Sequence, residues 1–355
     1  MKDSTVGSAI IFSFFIISIL TLVIPSLIVK NKWFNTVFGD GLTQEQITAS
    51  LGHRKADLLI RMIPPVVTTE TLQGGQKPFI EFRLFDPATN QPFSHVTYYI
   101  IIEKDGKRLL FDLFHDHGGD LKIQIKPNNM SNKITIDGGK VQPLGVWSST
   151  PDRYVTVSGP IFLAGGLYHF IVKILTVDFD TAFLAQDQQT VYDSWLSIGN
   201  TENRNINIDG KQVPIKIISY YDKLLNFEFD AKNKQLKFDM PFNWNLSRLT
   251  NSSIYVHEEI YIPKPSALTV NVGYSGTVNT MNVSKDIVLD NTNPNIDVVH
   301  VMLPKNTLLQ LADQMNENKS EYSRLMTFVL QPTNGPKLGS MESMNSTNMS
   351  MMSRS

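Results

Sequence analysis

Two imidazoles two residues apart, His115 and His117 in the segment FHDHGGD, are the side chains of this sequence best suited to chemistry. Alternate residues of an extended strand share one face, so an H-x-H pair presents two nitrogens together to a copper or zinc ion. Asp120 could serve as a third ligand or hold a histidine tautomer from behind, and Asp112 is close in sequence. A further imidazole could come from His95 or His169. HDHGGD also reads as an ordinary polar hairpin loop in which Gly118-Gly119 makes the turn. Two histidines without a distant partner do not decide between these readings.

The carboxy-terminal stretch SMESMNSTNMSMMSRS is a second place where residue type suggests metal chemistry. Met341, Met344, Met349, Met351 and Met352 fall in M-x-x-M and M-x-M spacings, and soft thioethers select Cu(I). The stretch is of low complexity and is expected not to fold, so these methionines also read as a compositional feature of a disordered tail.

Enzyme signatures do not emerge. His257-Glu258-Glu259 begins like H-E-x-x-H, but Tyr261 ends it and the segment reads as strand, which removes the helical geometry of a zinc protease. Glu258 and Glu259 are adjacent and so project to opposite faces of a strand. Gly273-Tyr274-Ser275-Gly276 reads as a turn, and no glycine-rich phosphate loop follows a strand. Trp147, Trp195 and Trp244 could line a carbohydrate platform or serve as core residues. The expectation is a protein with no catalytic residues and no obligatory cofactor, copper being the candidate metal that the H-x-H pair and the methionine tail share.

The elements that must position these residues stand behind a membrane segment. Val6–Val29 is uncharged, and its roughly 24 residues would span the ~30 Å hydrocarbon core of a bilayer as a helix. A cleaved signal peptide is the alternative, but its apolar region is usually only about 7–15 residues long and ends in a small-x-small site. Trp33, Phe34, Lys30 and Lys32 suit the interface that follows. Lys2 lies on one side of the segment and Lys30 and Lys32 on the other, so the positive-inside count slightly disfavours an outside body, by one charge that composition must outweigh. Seven N-x-[ST] sequons, at Asn129, Asn245, Asn251, Asn282, Asn318, Asn345 and Asn348, point the body outward. The 32 basic residues balance 33 acidic ones, which disfavours nucleic acid as a partner, and the absence of cysteine excludes disulfides and thiolate sites.

Along the body, residues 34–54 read as a linker, with Thr43 and Gln46 as a capping box for a short helix ending near Leu51. From residue 55 the pattern turns to strands. FIEFRLF, VTYYIIIEK, the stretches either side of HDHGGD, and LYHFIVKILTV make an immunoglobulin-like sandwich over residues 55–180. In the last of these, Tyr168, Phe170, Val172, Ile174 and Thr176 share a face. Residues 181–331 read as a second sandwich carrying one helix, Thr307–Met315, before a disordered Met- and Ser-rich tail at 332–355. The fold class expected is all-β, with two immunoglobulin-like or jelly-roll-type β-sandwich domains behind one amino-terminal transmembrane helix.

The segments FIEFRLFD…HVTYYI…EKDGK…FHDHGGDLKIQIKP, GPIFLAGGLYHFIVKI and FEFD…LKFDMPFNWN…VHEEIYIPK, placed after an amino-terminal anchor, resemble secreted, membrane-anchored β proteins of ammonia-oxidising archaea. The resemblance covers roughly residues 55–330. It implies an extracytoplasmic all-β body in organisms that depend on copper enzymes outside the membrane, and it implies no activity. The expected function is that of a single-pass, non-catalytic binding or structural module at the cell surface, held in the membrane by Val6–Val29, with a protein or glycan partner. The alternatives are a copper-handling protein using His115, His117 and the methionine tail, and a surface hydrolase or glycan-binding protein.

Overall fold

In the computed structural model, residues 41–141, 144–149, 154–266, 268–269, 273–317 and 324–333 are described. The apolar run Val6–Val29, the tail methionines from Met341 to Met352, and the sequons at Asn318, Asn345 and Asn348 lie outside the described residues. Among the described residues, no helix is long and apolar enough to cross a membrane.

The chain is mostly strand. In order it forms β1 (Gly41–Leu51), β2 (Arg54–Ile63), α1 (Thr69–Gln73), β3 (Phe79–Phe85), β4 (Val96–Lys104), β5 (Lys107–Asp116), β6 (Asp120–Pro127), β7 (Thr135–Asp137), β8 (Gly139–Val141), β9 (Val146–Ser148), β10 (Val155–Gly159) and β11 (Gly166–Thr176). There follow β12 (Val191–Ile198), β13 (Asn200–Ile208), β14 (Lys211–Ser219), β15 (Leu225–Asp230), β16 (Gln235–Pro241), α2 (Leu246–Asn251), β17 (Ser253–Pro263), β18 (Tyr274–Val278), β19 (Met281–Asn282), β20 (Ile287–Asp290), β21 (Ile296–Leu303), α3 (Lys305–Glu317) and β22 (Leu325–Pro332).

The strands make three sheets. The largest runs β13-β14-β17-β1-β2-β3-β6-β10-β7, with β21 added on β17 and β20 on β21. The second runs β12-β11-β4-β5-β9-β8 and the third β15-β16-β22-β18-β19. Alternation along each strand turns one set of side chains inward. Leu58 and Ile60 of β2, Phe82 of β3 and Ile123 of β6 meet Tyr98 and Ile100 of β4 and Phe170 and Val172 of β11 in a first core. The Phe82 ring lies 6.3 Å from those of Tyr98 and Phe170, which joins the two layers. Ile217 of β14, Val256 and Ile260 of β17 and Val301 of β21 meet Phe238 of β16, Phe328 of β22 and Leu308 and Leu311 of α3 in a second core. Burying each large apolar side chain contributes about 1.5–3 kcal/mol, so the two cores hold the sheets face to face.

Two local expectations fail here for physical reasons. Thr43 to Leu51 is not a helix but most of strand β1, which pairs with β2 from Gln44↔Arg61 to Leu51↔Arg54 and with β17 from Gly41↔Tyr255. Pairing with β2 along its length and with β17 at its start gives this backbone a ladder in place of a capped turn, and the β-branched Ile47 and Thr48 favour it. HDHGGD is not a hairpin loop either. Strand β5 pairs with β4 and β9 while β6 pairs with β3 and β10, so the loop is a corner carrying the chain from one layer to the other. Expected alternation in LYHFIVKILTV holds along β11, whose Tyr168, Phe170, Val172, Ile174 and Thr176 are all buried.

Candidate metal centre

Three neighbouring strand ends in the interior of the six-stranded sheet, those of β11, β4 and β5, bring the histidines together. Thr97, near the start of β4, opposes His115 near the end of β5 on one side and Thr176 at the end of β11 on the other. His95 immediately precedes β4 in a left-handed conformation (φ 53°), and its N–H donates to the carbonyl of His117 at 3.0 Å. After β11 the chain reverses over residues 177–183. Asp178 N–H donates to Ser94 O (2.7 Å), and Leu184 N–H returns to Leu175 O (2.8 Å). This reversal carries Asp180 back over the imidazoles.

The corner after His117 is held by backbone geometry. Asp116 Oδ1 accepts the N–H of Gly118 (2.8 Å) and of Asp120 (3.0 Å), and the buried Tyr98 hydroxyl donates to Gly119 O at 2.9 Å. Gly119 has φ 74° and passes so close to Phe93 that a Cβ would overlap its carbonyl. Only glycine meets both demands.

The ligand atoms converge. His95 Nδ1 donates to Asp180 Oδ1 at 2.6 Å, His115 Nε2 lies 3.0 Å from the same oxygen and His117 Nδ1 3.6 Å from it, while His95 Nδ1 and His117 Nδ1 are 3.2 Å apart. All four atoms lie within 4.8 Å of one another. A tetrahedral ion with bonds of about 2.0–2.1 Å separates its ligand atoms by about 3.3 Å, which falls within the 2.6–3.6 Å range of these separations. On the far side of His115, Nδ1 is 2.8 Å from Thr97 Oγ1, which accepts in turn from Thr176 Oγ1 at 2.7 Å. With the Nδ1 proton donated to Thr97, Nε2 turns its lone pair toward Asp180, the outer support that metal-bound imidazoles characteristically have.

Electrostatics favour the ligand-competent forms. Burial pushes the His115 imidazole below its ordinary value, against the opposing pull of Asp180, so it is neutral at physiological pH. Desolvation raises the Asp180 carboxyl, but the hydrogen bond from His95 and the three imidazoles more than reverse this and hold it below the usual carboxylate range. A neutral imidazole and an ionised carboxylate are the states that bind a cation without first losing a proton to solvent.

Of the residues expected from sequence, His115, His117 and His95 meet here, and Asp120 does not. Asp120 begins β6, where it opposes Arg83 of β3, and burial followed by the nearby charge of Glu81 pushes its carboxyl up. Asp112 instead accepts from Trp147 Nε1 at 3.2 Å. His169 sits on β11, bonded to Asp193 (2.9 Å) and stacked on Trp195 with ring centroids 4.2 Å apart. Asp180 carries no motif; only the β11–β4 register and the reversal after β11 place it. The tryptophans form no common platform, since Trp147 and Trp195 are separated by three strands of one sheet and Trp244 is buried. No family of proteins, no curated protein and no solved structure matches this chain.

Proposed function

We propose that this protein is a non-catalytic binding module of two β-sandwich domains of immunoglobulin-like or jelly-roll type. It is anchored through Val6–Val29 with its body extracytoplasmic, and it holds a divalent transition-metal ion at His95, His115, His117 and Asp180. The single observation that supports this most is that three imidazole nitrogens lie 2.6–3.6 Å from one carboxylate oxygen, Asp180 Oδ1, with those of His95 and His117 3.2 Å apart. Four protein donors close a tetrahedral shell, the pattern of ions that hold structure rather than perform chemistry, and this donor set at this spacing suits Zn(II). Loading requires the ring proton of neutral His95 to move from Nδ1 to Nε2, so that the Nδ1 lone pair faces the ion. Cu(II) is the competing reading, because imidazole binds it well and it tops the affinity order of divalent first-row metals.

The test is a chelator-competition titration of the full-length chain in detergent, first stripped of metal, with Zn(II) and separately with Cu(II). The expected result is one equivalent bound tightly at this site and weakened at least about a hundredfold in Asp180→Ala and in His115→Ala/His117→Ala, since even outer-sphere changes cost 10–100-fold. Tight binding unchanged in both variants overturns the metal assignment. Location is tested by membrane-impermeant biotinylation of intact cells, which should label the lysines of the body; labelling only after lysis would contradict an extracytoplasmic body.

A further inference from the structure

A second group of donors lies on the face of the largest sheet turned away from the second core, in the other half of the described chain. His257 and Glu259 are alternate residues of β17 and therefore share a face, and His300 of β21 is the direct cross-strand partner of Glu259. Glu258, between them in sequence, points the other way into the second core, where its carboxylate accepts from Ser219 Oγ at 3.0 Å. The register alone thus assembles two imidazoles and one carboxylate on a rigid surface. With the first group, this takes up five of the seven histidines in the chain.

Distances argue for a cation between them. His257 Nε2 and His300 Nδ1 are 3.1 Å apart, while Glu259 Oε1 stands 3.8 Å from the first and 3.6 Å from the second. Those last two separations exceed hydrogen-bond length, yet the oxygen is nearly equidistant from both nitrogens. They bracket, with the first, the roughly 3.3 Å edge of a tetrahedral shell around an ion bonded at about 2.0–2.1 Å. The other carboxylate oxygen, Oε2, accepts from Tyr261 OH at 2.6 Å, which fixes the plane of Glu259 and aims Oε1 at the imidazole pair. Tyr220 stacks on His257 with ring centroids 4.9 Å apart, limiting rotation of the ring. Each of these is the kind of outer support that orients a metal ligand.

We infer that His257, Glu259 and His300 form a second metal site, independent of the first, for a divalent ion that accepts imidazole and carboxylate donors. Two histidines and a carboxylate suit Zn(II), Fe(II) or Co(II) rather than the soft Cu(I) that thioethers prefer. The site is borne wholly on strands, so its donors are fixed by the ladder and not by loop conformation.

Zn(II) is the probe, because methionine thioethers do not compete for it. The full-length chain should bind two equivalents. His300→Ala and Glu259→Gln should each remove one while leaving the equivalent that depends on His115 and His117, and the His115→Ala/His117→Ala variant should show the reverse. An anomalous-scattering map at the zinc edge, on crystals of the unaltered chain, reads the same point without a variant and should place an ion between His257 Nε2, Glu259 Oε1 and His300 Nδ1. Unchanged stoichiometry in folded His300→Ala, or a map with no peak at these atoms while the first site is occupied, overturns the inference.

Discussion

The two histidine groups are built in opposite ways. The first sits where three strand ends and two reversals meet, and its members differ widely in exposure, from a fully buried His115 to a His117 side chain that is 56 % exposed. The second lies flat on a sheet, with His257, Glu259 and His300 side chains all between 9 % and 12 % exposed. A loop-built site owes its geometry to glycines, turns and one carboxylate delivered from a distant segment. A strand-built site owes it to ladder register and to a neighbouring tyrosine. The comparison teaches that convergence of donors can come from either source, and that the two should fail under different perturbations.

The largest expected effect is loss of a ligand. Asp180→Ala should empty the first site and leave the second intact, and Glu259→Gln should do the converse; loss of both equivalents in either variant would show that the sites are coupled. Next comes the corner itself. Gly119→Ala forces a side chain into a left-handed position against the Phe93 carbonyl, and strain of this kind costs about 1–3 kcal/mol, with the overlap adding to it. A lowered thermal midpoint together with selective loss of the first ion is expected, read by calorimetric melting with and without Zn(II). Retention of the first ion in a folded Gly119→Ala protein would contradict a corner-dependent site.

The second site can be probed from beneath. Glu258 is fully buried on the inward face of β17, and desolvation, opposed by the Ser219 hydrogen bond, raises its carboxyl well above the ordinary value. A raised folded-state value means that the unfolded chain releases this proton first. The stabilising contribution of Glu258 is therefore complete below about pH 4.5, its ordinary value, and declines as pH rises toward the folded one. Urea unfolding of Glu258→Gln should show a smaller loss of stability from pH 5 to pH 8 than the unaltered chain; an identical slope would place the titration elsewhere. The smallest effects belong to the outer supports. Thr97→Val should weaken the first ion, and Tyr261→Phe the second, by about 10–100-fold each, measured by chelator competition. An effect of Tyr261→Phe on the first site would break the independence of the two.

How legible this was in the sequence follows the same division. The strands with clean alternation, such as β11, and the long apolar β4 were readable, because one face of each meets a core. Strand β1 was not: its Thr43–Gln46 spacing mimics a helix cap, and only pairing with β2 and β17 decides otherwise. Strand β13 carries little local signal, since its sequence NTENRNINI buries only Ile206 and Ile208 at the sheet edge. At the first site H-x-H exposed His115 and His117, but Asp180 is 63 residues beyond His117 and arrives through a register that no local pattern encodes. At the second, His257 and Glu259 stand in a segment whose H-E-x-x-H likeness draws attention to helical geometry, whereas their alternate spacing on a strand is the signal that pairs them. His300 carried no signal of its own, because cross-strand partners are set by long-range pairing.

X-ray absorption at the zinc edge of His300→Ala, loaded with one equivalent of Zn(II), tests the central claim most directly. A four-coordinate ion at about 2.0–2.1 Å with three imidazoles and one oxygen in its shell is expected. A shell with fewer than three imidazoles, or one made mainly of solvent oxygens, would contradict it.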